Sequence, residues 1–203
     1  MLTIQYTLLA DGSSDATLKP IIDWVIGQHR PDLGVLGVFA TSLGDVGMAL
    51  ESRVTAALRL YPCDVLIIHR DAEGERPVVR LGEMERAMGG HTVPWVPLIP
   101  VRMTEAWLLS DEIAIRSAAE NKRSRVVLNL PPKHRWEQER DPKSILFEAL
   151  EVASEKSARA LRKFYPARQR ALVAQHTGDF SALRGLPSFD FFEAHLVNFL
   201  RNF

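Results

Sequence analysis

The chain has 203 residues with 25 Lys+Arg against 25 Asp+Glu, a formal charge of zero; 46% of residues are hydrophobic and 25% charged. That balance excludes a disordered, collagenous or disulfide-scaffold chain, and the length suits one packed core with an elaborated end. The single cysteine, Cys63, excludes an internal disulfide and a thiolate zinc cluster, and no apolar run is long enough to span a bilayer.

In chain order, residues 4–10 predict a β-strand that ends in the turn Asp11-Gly12-Ser13-Ser14. Asp15 then stands as a predicted N-cap before Leu18, Ile21, Ile22, Val25 and Ile26, apolar at helical spacing. Residues 35–40 predict a second strand. Residues 44–61 predict a helix with Val46, Ala49, Leu50, Val54, Ala57, Leu58 and Tyr61 along one stripe. Residues 64–69 are almost continuously apolar, as in a strand covered on both faces. A polar turn over 70–75 and a helix over 78–88 follow. Residues 93–101 predict a fourth strand, which Pro94, Pro97 and Pro100 demote to an edge. Residues 103–119 predict one helix, with Thr104 near its start.

Strands alternating with helices in this way imply βαβ units and a parallel sheet. The later part differs. Residues 126–130 form a short β-like piece before Pro131-Pro132, and Asp141-Pro142 signals a helix over 143–156. Residues 157–175 predict helix with a basic face, and Ser188 is the predicted cap of a last helix over 189–203. The expected organisation is an α/β core over 1–120, with about four mostly parallel strands flanked by helices, and a mainly helical extension over 121–203 packed on it. The first residues lack the basic start and long apolar run of a signal peptide, so a cytoplasmic protein with no membrane partner is expected.

Several signatures are missing: a Gly-Lys-Ser/Thr phosphate loop, G-x-G-x-x-G after the first strand, H-E-x-x-H and G-x-S-x-G. His69-Arg70-Asp71 imitates the kinase tripeptide, but the position of the required Asn is Arg76. What remains is a set of acids at strand ends, where open parallel sheets bind ligands. Asp11 follows the first strand, Asp71 and Glu73 the third, and Glu105 the fourth. Converging carboxylates need a cation, and hard oxygen donors select Mg²⁺, Mn²⁺ or Ca²⁺.

A hydrophobic strand followed by acid-Gly-x-Ser/Thr-Asp, and a later strand followed by Asp-x-Asp/Glu, resembles the Toprim layout. That fold is shared by topoisomerases, primases, recombination mediators and overcoming-lysogenization-defect nucleases. The chain is most similar to a Toprim-like family of unknown function, often met beside ATPases in bacterial genomes and defence loci. Three segments carry the resemblance: Ala10-Asp11-Gly12-Ser13-Ser14-Asp15, Ile68-His69-Arg70-Asp71-Ala72-Glu73, and residues 100–111 around Thr104-Glu105-Ala106-Trp107. The closing segments Asp141-Pro142-Lys143 and Leu186-Pro187-Ser188-Phe189 are also similar. Two positions depart from the pattern, with Asp11 where the family usually has Glu and Glu73 where Asp is commoner.

The resemblance implies a Toprim-like (Rossmann-like) fold and Mg²⁺- or Mn²⁺-dependent cleavage of phosphodiester bonds in DNA or RNA. Asp71 and Glu73 would hold the metal, with Asp11 a further ligand or general acid/base and Glu105 either a ligand of a second metal or a carboxylate that orients the metal's ligands. Arg70, Arg76, Arg102 and Lys133 would reach phosphate oxygens. Expected partners are nucleic acid and an ATPase, in phage defence, and a homo-oligomer is left open. The alternative is a catalytically degenerate domain that serves as a protein-binding subunit of an ATPase-containing complex. Hydrolysis of a small phosphate is a third reading.

Plainer readings exist for each residue. Asp11 before Gly12 is also turn chemistry. Glu105 is also a first-turn carboxylate facing a helix dipole. Trp107 and His69 read as core, Cys63 as an inert small hydrophobe, and Arg159, Arg162, Lys163, Arg168 and Arg170 as a solvated face. The charge is split along the chain: residues 1–115 hold 9 Lys/Arg and 15 Asp/Glu, residues 116–203 hold 16 and 10. Zero net charge therefore does not exclude nucleic acid.

Overall fold

A computed structural model describes residues 2–203. The chain forms two compact units, Met1–Val101 with Pro187–Phe203, and Arg102–Leu186. The first begins with β1 (Thr3–Leu9), α1 (Lys19–His29), β2 (Gly34–Phe39), α2 (Leu50–Leu60), β3 (Val65–His69), α3 (Pro77–Met88) and β4 (Trp95–Leu98). The second holds α4 (Glu105–Leu108), α5 (Glu112–Ala118), α6 (Pro142–Ser154), α7 (Ala158–Leu161) and α8 (Pro166–His176). A final helix, α9 (Pro187–Leu200), returns to the first unit.

The four strands are all parallel, in the order β2-β1-β3-β4. Ile4, Tyr6 and Leu8 alternate with Thr7 and Leu9, all buried, because β1 is central and covered on both faces. Helices α2 and α3 lie against each other, and Val54, Ala57, Met84, Ala87 and Met88 close a cluster with Leu9, Leu66 and Ile68. Helix α1 contacts β2 and α9, and α9 contacts β4. The chain leaves β1 toward one edge, then returns past it to β3 and the opposite edge. Crossovers of one hand then require α1 on one face and α2 and α3 on the other. Pro97 within β4 is tolerated because β4 is an edge strand, where it sits beside Ile68 of its only neighbour.

On β1 the buried Tyr6 is paired in register with Gly37 of β2, and its hydroxyl donates to Asp23 of α1 at 2.6 Å. Gly37 leaves the space that the tyrosine ring occupies, since a Cβ there would lie 2.3 Å from Tyr6 Cζ and Oη. Burial raises the Tyr6 hydroxyl's pKa, with the Asp23 charge adding to it. Burial also raises Asp23, against the bond from Tyr6.

The second unit is helical. Helix α5 contacts α6 and α8, and α4 contacts α6 and α8, around Trp107, Ile115, Leu146, Leu150 and Val173.

Several expected boundaries move. The helix expected over 44–61 starts at Leu50, because Gly44 and Gly47 adopt φ of +78° and +69°. The single helix expected over 103–119 is two, since Asp111 accepts from Ala114 N at 2.9 Å and restarts the chain as a new N-cap. Residues 126–130 join no sheet, and the second unit has no strand among the described residues. The last helix begins at Pro187, whose fixed φ suits a first helical position, ahead of the expected cap Ser188. Asp141 does cap α6, accepting from Ser144 N at 2.9 Å. Among the described residues no helix is long and apolar enough to cross a membrane.

Candidate functional site

The first unit's sheet has a topological switch point. β1 lies between β2 and β3, and the chain leaves β1 and β3 in opposite directions. The carboxyl ends of these two strands therefore diverge around a crevice, the place where open α/β sheets bind ligands. A cavity of about 210 Å³ sits there, lined by Asp11, Gly12, Ser14 and Asp15 after β1 and by His69, Arg70, Asp71, Glu73 and Arg80 from β3 onward. Asp11, Asp71 and Glu73, expected at one site, thus share one cavity.

Local structure fixes these side chains. Residues 13–18 form a turn of 3-10 helix, and Asp15 lies inside it instead of capping α1. Its carboxylate reaches back to accept from Gly12 N at 3.0 Å, which satisfies a backbone donor at the start of that turn. After β3 the backbone stays tied to the neighbouring segment, with Arg70 N donating to Leu98 O at 3.2 Å and Ala72 N to Pro100 O at 2.9 Å. The turn then needs left-handed conformations at Glu73 and Gly74, with φ of 53° and 88°. Glu73 is left with its side chain 71% exposed.

Three arginines compensate the acids. Arg53, buried on α2, donates one guanidinium nitrogen to Asp11 and the other to the Ala10 carbonyl at 2.5 Å. Arg70 donates Nε to the second Asp11 oxygen at 3.2 Å and Nη1 to Glu83 at 2.7 Å. Arg80 donates Nε to the Asp71 carbonyl at 3.2 Å, grips Glu83, and lies 3.5 Å from Glu73.

His69 ends β3, fully buried, with Nδ1 3.6 Å from Asp15 and Nε2 3.4 Å from Asp71. Burial pulls its pKa down, but the hydrogen bond to Asp71 and the charges of Asp71, Asp15 and Asp11 outweigh it, so the ring titrates above its ordinary value.

Mg²⁺ takes hard oxygen donors, and four carboxylates border the cavity. Among the described residues, however, no group of three His, Cys, Asp or Glu could hold a metal ion. Asp11 is taken up by Arg53 and Arg70, and Glu73 faces Arg80. These residues do not fit a resident, fully caged metal. A hydrated Mg²⁺ that shares one or two carboxylates with substrate phosphates needs no such cage.

The other expected site residues lie elsewhere. Arg76 is exposed at the start of α3 and does not line the cavity; Arg80, one turn on, does. Glu105, Arg102 and Lys133 belong to the second unit. There Glu105 is buried against Arg170, and Lys133 donates to the Arg184 carbonyl at 2.6 Å. Trp107 is core, as expected.

Sequence reasoning missed Arg53 and Arg80, although both carried a signal. Arg53 falls between Leu50, Val54 and Ala57 on the buried stripe of α2, and Arg80 one turn before buried Met84. A cation on an apolar face needs a buried partner. In comparisons with protein-family models, curated proteins and solved structures, nothing matches this chain.

Proposed function

We propose that the chain is a Toprim-like domain that cleaves phosphodiester bonds in DNA or RNA at the switch-point cavity. One observation carries this reading: acids following two different strands converge on the crevice where this sheet topology receives ligands. Arg70 and Arg80 offer forked donors to phosphate oxygens. Asp11 and Glu83 hold those guanidinium groups in place until a phosphate competes for them. His69 lies between Asp15 and Asp71, and the charges of those acids hold its pKa above the ordinary value against the effect of burial. Asp71 and Glu73 are the carboxylates for Mg²⁺ or Mn²⁺ arriving with the substrate, where it would neutralise charge on the phosphoryl group.

The test is cleavage of plasmid, single-stranded DNA and RNA with and without Mg²⁺ or Mn²⁺, with Asp71→Ala expected to abolish it. Asp71→Asn, nearly isosteric, separates lost chemistry from lost folding. No cleavage by the wild type with either ion, alone or beside the products of neighbouring genes, would sink this reading.

The second reading is a catalytically degenerate domain serving as a protein-binding subunit of an ATPase-containing complex. The arginine compensation of Asp11 and the absence of a three-ligand group among the described residues favour it. It requires that wild type and Asp71→Asn behave alike in every cleavage assay. The ATPase partner and the phage-defence role follow from the company the resembling family keeps.

A further inference from the structure

The second unit carries 16 Lys/Arg against 11 Asp/Glu, a net charge of +5. Part of that excess lines a groove of about 750 Å³ formed by Ile113, Arg116, Lys122, Arg123, Ser124 and Arg125. The nearby carboxylates are all engaged. Glu112 is held by Arg116, Glu120 by Lys156 at 2.9 Å, and Glu155 by the Ser124 hydroxyl at 2.5 Å. Among the described residues no ion pair or side-chain hydrogen bond takes up Lys122, Arg123 or Arg125, and all three are exposed.

The segment that carries these cations is nonetheless fixed. Arg116 donates to Ser124 Oγ at 3.2 Å and to the Val126 carbonyl at 2.7 Å, and Ser124 N closes a turn onto Asn121 O at 3.0 Å. Asn121 in turn donates to the Ala153 carbonyl at 3.2 Å. Three uncompensated cations within four residues repel one another. A groove lined by one sign of charge also concentrates its field on whatever enters. Ile113, 65% exposed at the groove, adds apolar surface for a sugar or base.

From this geometry we infer that the groove is a nucleic-acid backbone site, with Lys122, Arg123 and Arg125 neutralising consecutive phosphates and Arg116 positioning their loop. The inference rests on the proposed action on nucleic acid, but it assigns binding to residues outside the cavity at the strand ends. Two guanidinium forks and an ammonium match phosphate oxygens, and three cations within four residues suit the closely repeated charges of a nucleic-acid backbone.

Binding of labelled 20-mer duplex and single-stranded oligonucleotides is measured by fluorescence anisotropy in EDTA, across a KCl series. The triple variant Lys122→Gln/Arg123→Gln/Arg125→Gln lies at exposed positions and should fold. Its log K against log salt should flatten by about 2.7 for duplex or about 2.1 for single strands, three phosphate contacts' worth. Equivalently, between 50 and 200 mM salt the wild type should lose about 40-fold more duplex affinity than the variant. Arg159→Gln/Arg162→Gln/Lys163→Gln removes the same charge from the second unit outside the groove and should leave the slope near wild type. Equal slopes for wild type and the groove variant, or equal flattening in both variants, overturn the inference. So does binding of poly-glutamate without binding of either oligonucleotide, which would assign the groove to an acidic protein. Cleavage without groove-dependent binding defeats this inference alone, and groove-dependent binding without cleavage defeats the nuclease reading alone.

Discussion

Arg53→Met tests whether the switch-point acids are held by their arginines. Methionine keeps an unbranched apolar stem in the buried α2 position and removes the guanidinium. Two contacts vanish. The Ala10 carbonyl is buried, and leaving such a group unsatisfied costs about 1.5 kcal/mol. The ion pair with Asp11 contributes less, because the Asp11 side chain is 44% exposed and keeps Arg70 at 3.2 Å. Solvent screening brings that share to about 0.5 kcal/mol, far below the several kcal/mol of a fully buried pair. The expected loss is about 2 kcal/mol, a midpoint drop of about 8 °C for a unit of this size. Arg53→Lys keeps the charge but cannot reach both acceptors at once, so it should lose about half as much. Urea and thermal unfolding read these values directly. A Met variant within about 0.5 kcal/mol of wild type, or a Lys variant equal to Arg, would refute the idea that this fork anchors the end of β1.

Gly37→Ala should cost about 3 kcal/mol, seen as a lowered urea midpoint, because the new Cβ would sit 2.3 Å from a Tyr6 ring tethered to Asp23; an unchanged midpoint would show that the ring gives way freely. His69 predicts a pH dependence of defined sign. Its folded pKa is raised above the ordinary 6.5, so its stabilisation is full below that value and disappears as pH rises through the folded one. Unfolding midpoints should therefore fall from about pH 6.5 upward, and His69→Gln should flatten the curve. A midpoint that rises over that range would mean that burial outweighs the Asp71 and Asp15 charges.

The parallel sheet was legible because its information is local. Residues 65–68 are apolar throughout, as a strand covered on both faces must be, and three prolines in and around β4 marked it as an edge. The errors arose where a single residue overrode a pattern that continued past it. Gly44 and Gly47 sit among apolar residues at helical spacing, yet their left-handed φ delays α2 to Leu50. Asp111 lies within the expected helix over 103–119, and its carboxylate is worth more as a cap for Ala114 N than as an exposed interior residue. Residues 126–130 have β-branched composition but no neighbouring strand to pair with, and composition alone makes no ladder.

The site was half legible for a related reason. Acids placed directly after strands announce themselves, since strand ends can be found from periodicity and ligands bind beyond them. What neutralises those acids cannot be found that way. Arg53 lies 42 residues from Asp11 and Arg70 lies 59 away, so only the fold brings them together. The compensation changes what the carboxylates mean. Unpaired acids around a 210 Å³ cavity would require a cation at all times, whereas Asp11 held by two guanidinium groups is stable without one. A phosphate entering the cavity would compete with Asp11 and Glu83 for Arg70 and Arg80, and Asp11, which borders the cavity, would gain a free oxygen for Mg²⁺ once Arg70 let go. Metal and substrate would then bind with positive coupling, each raising the other's affinity by the same factor.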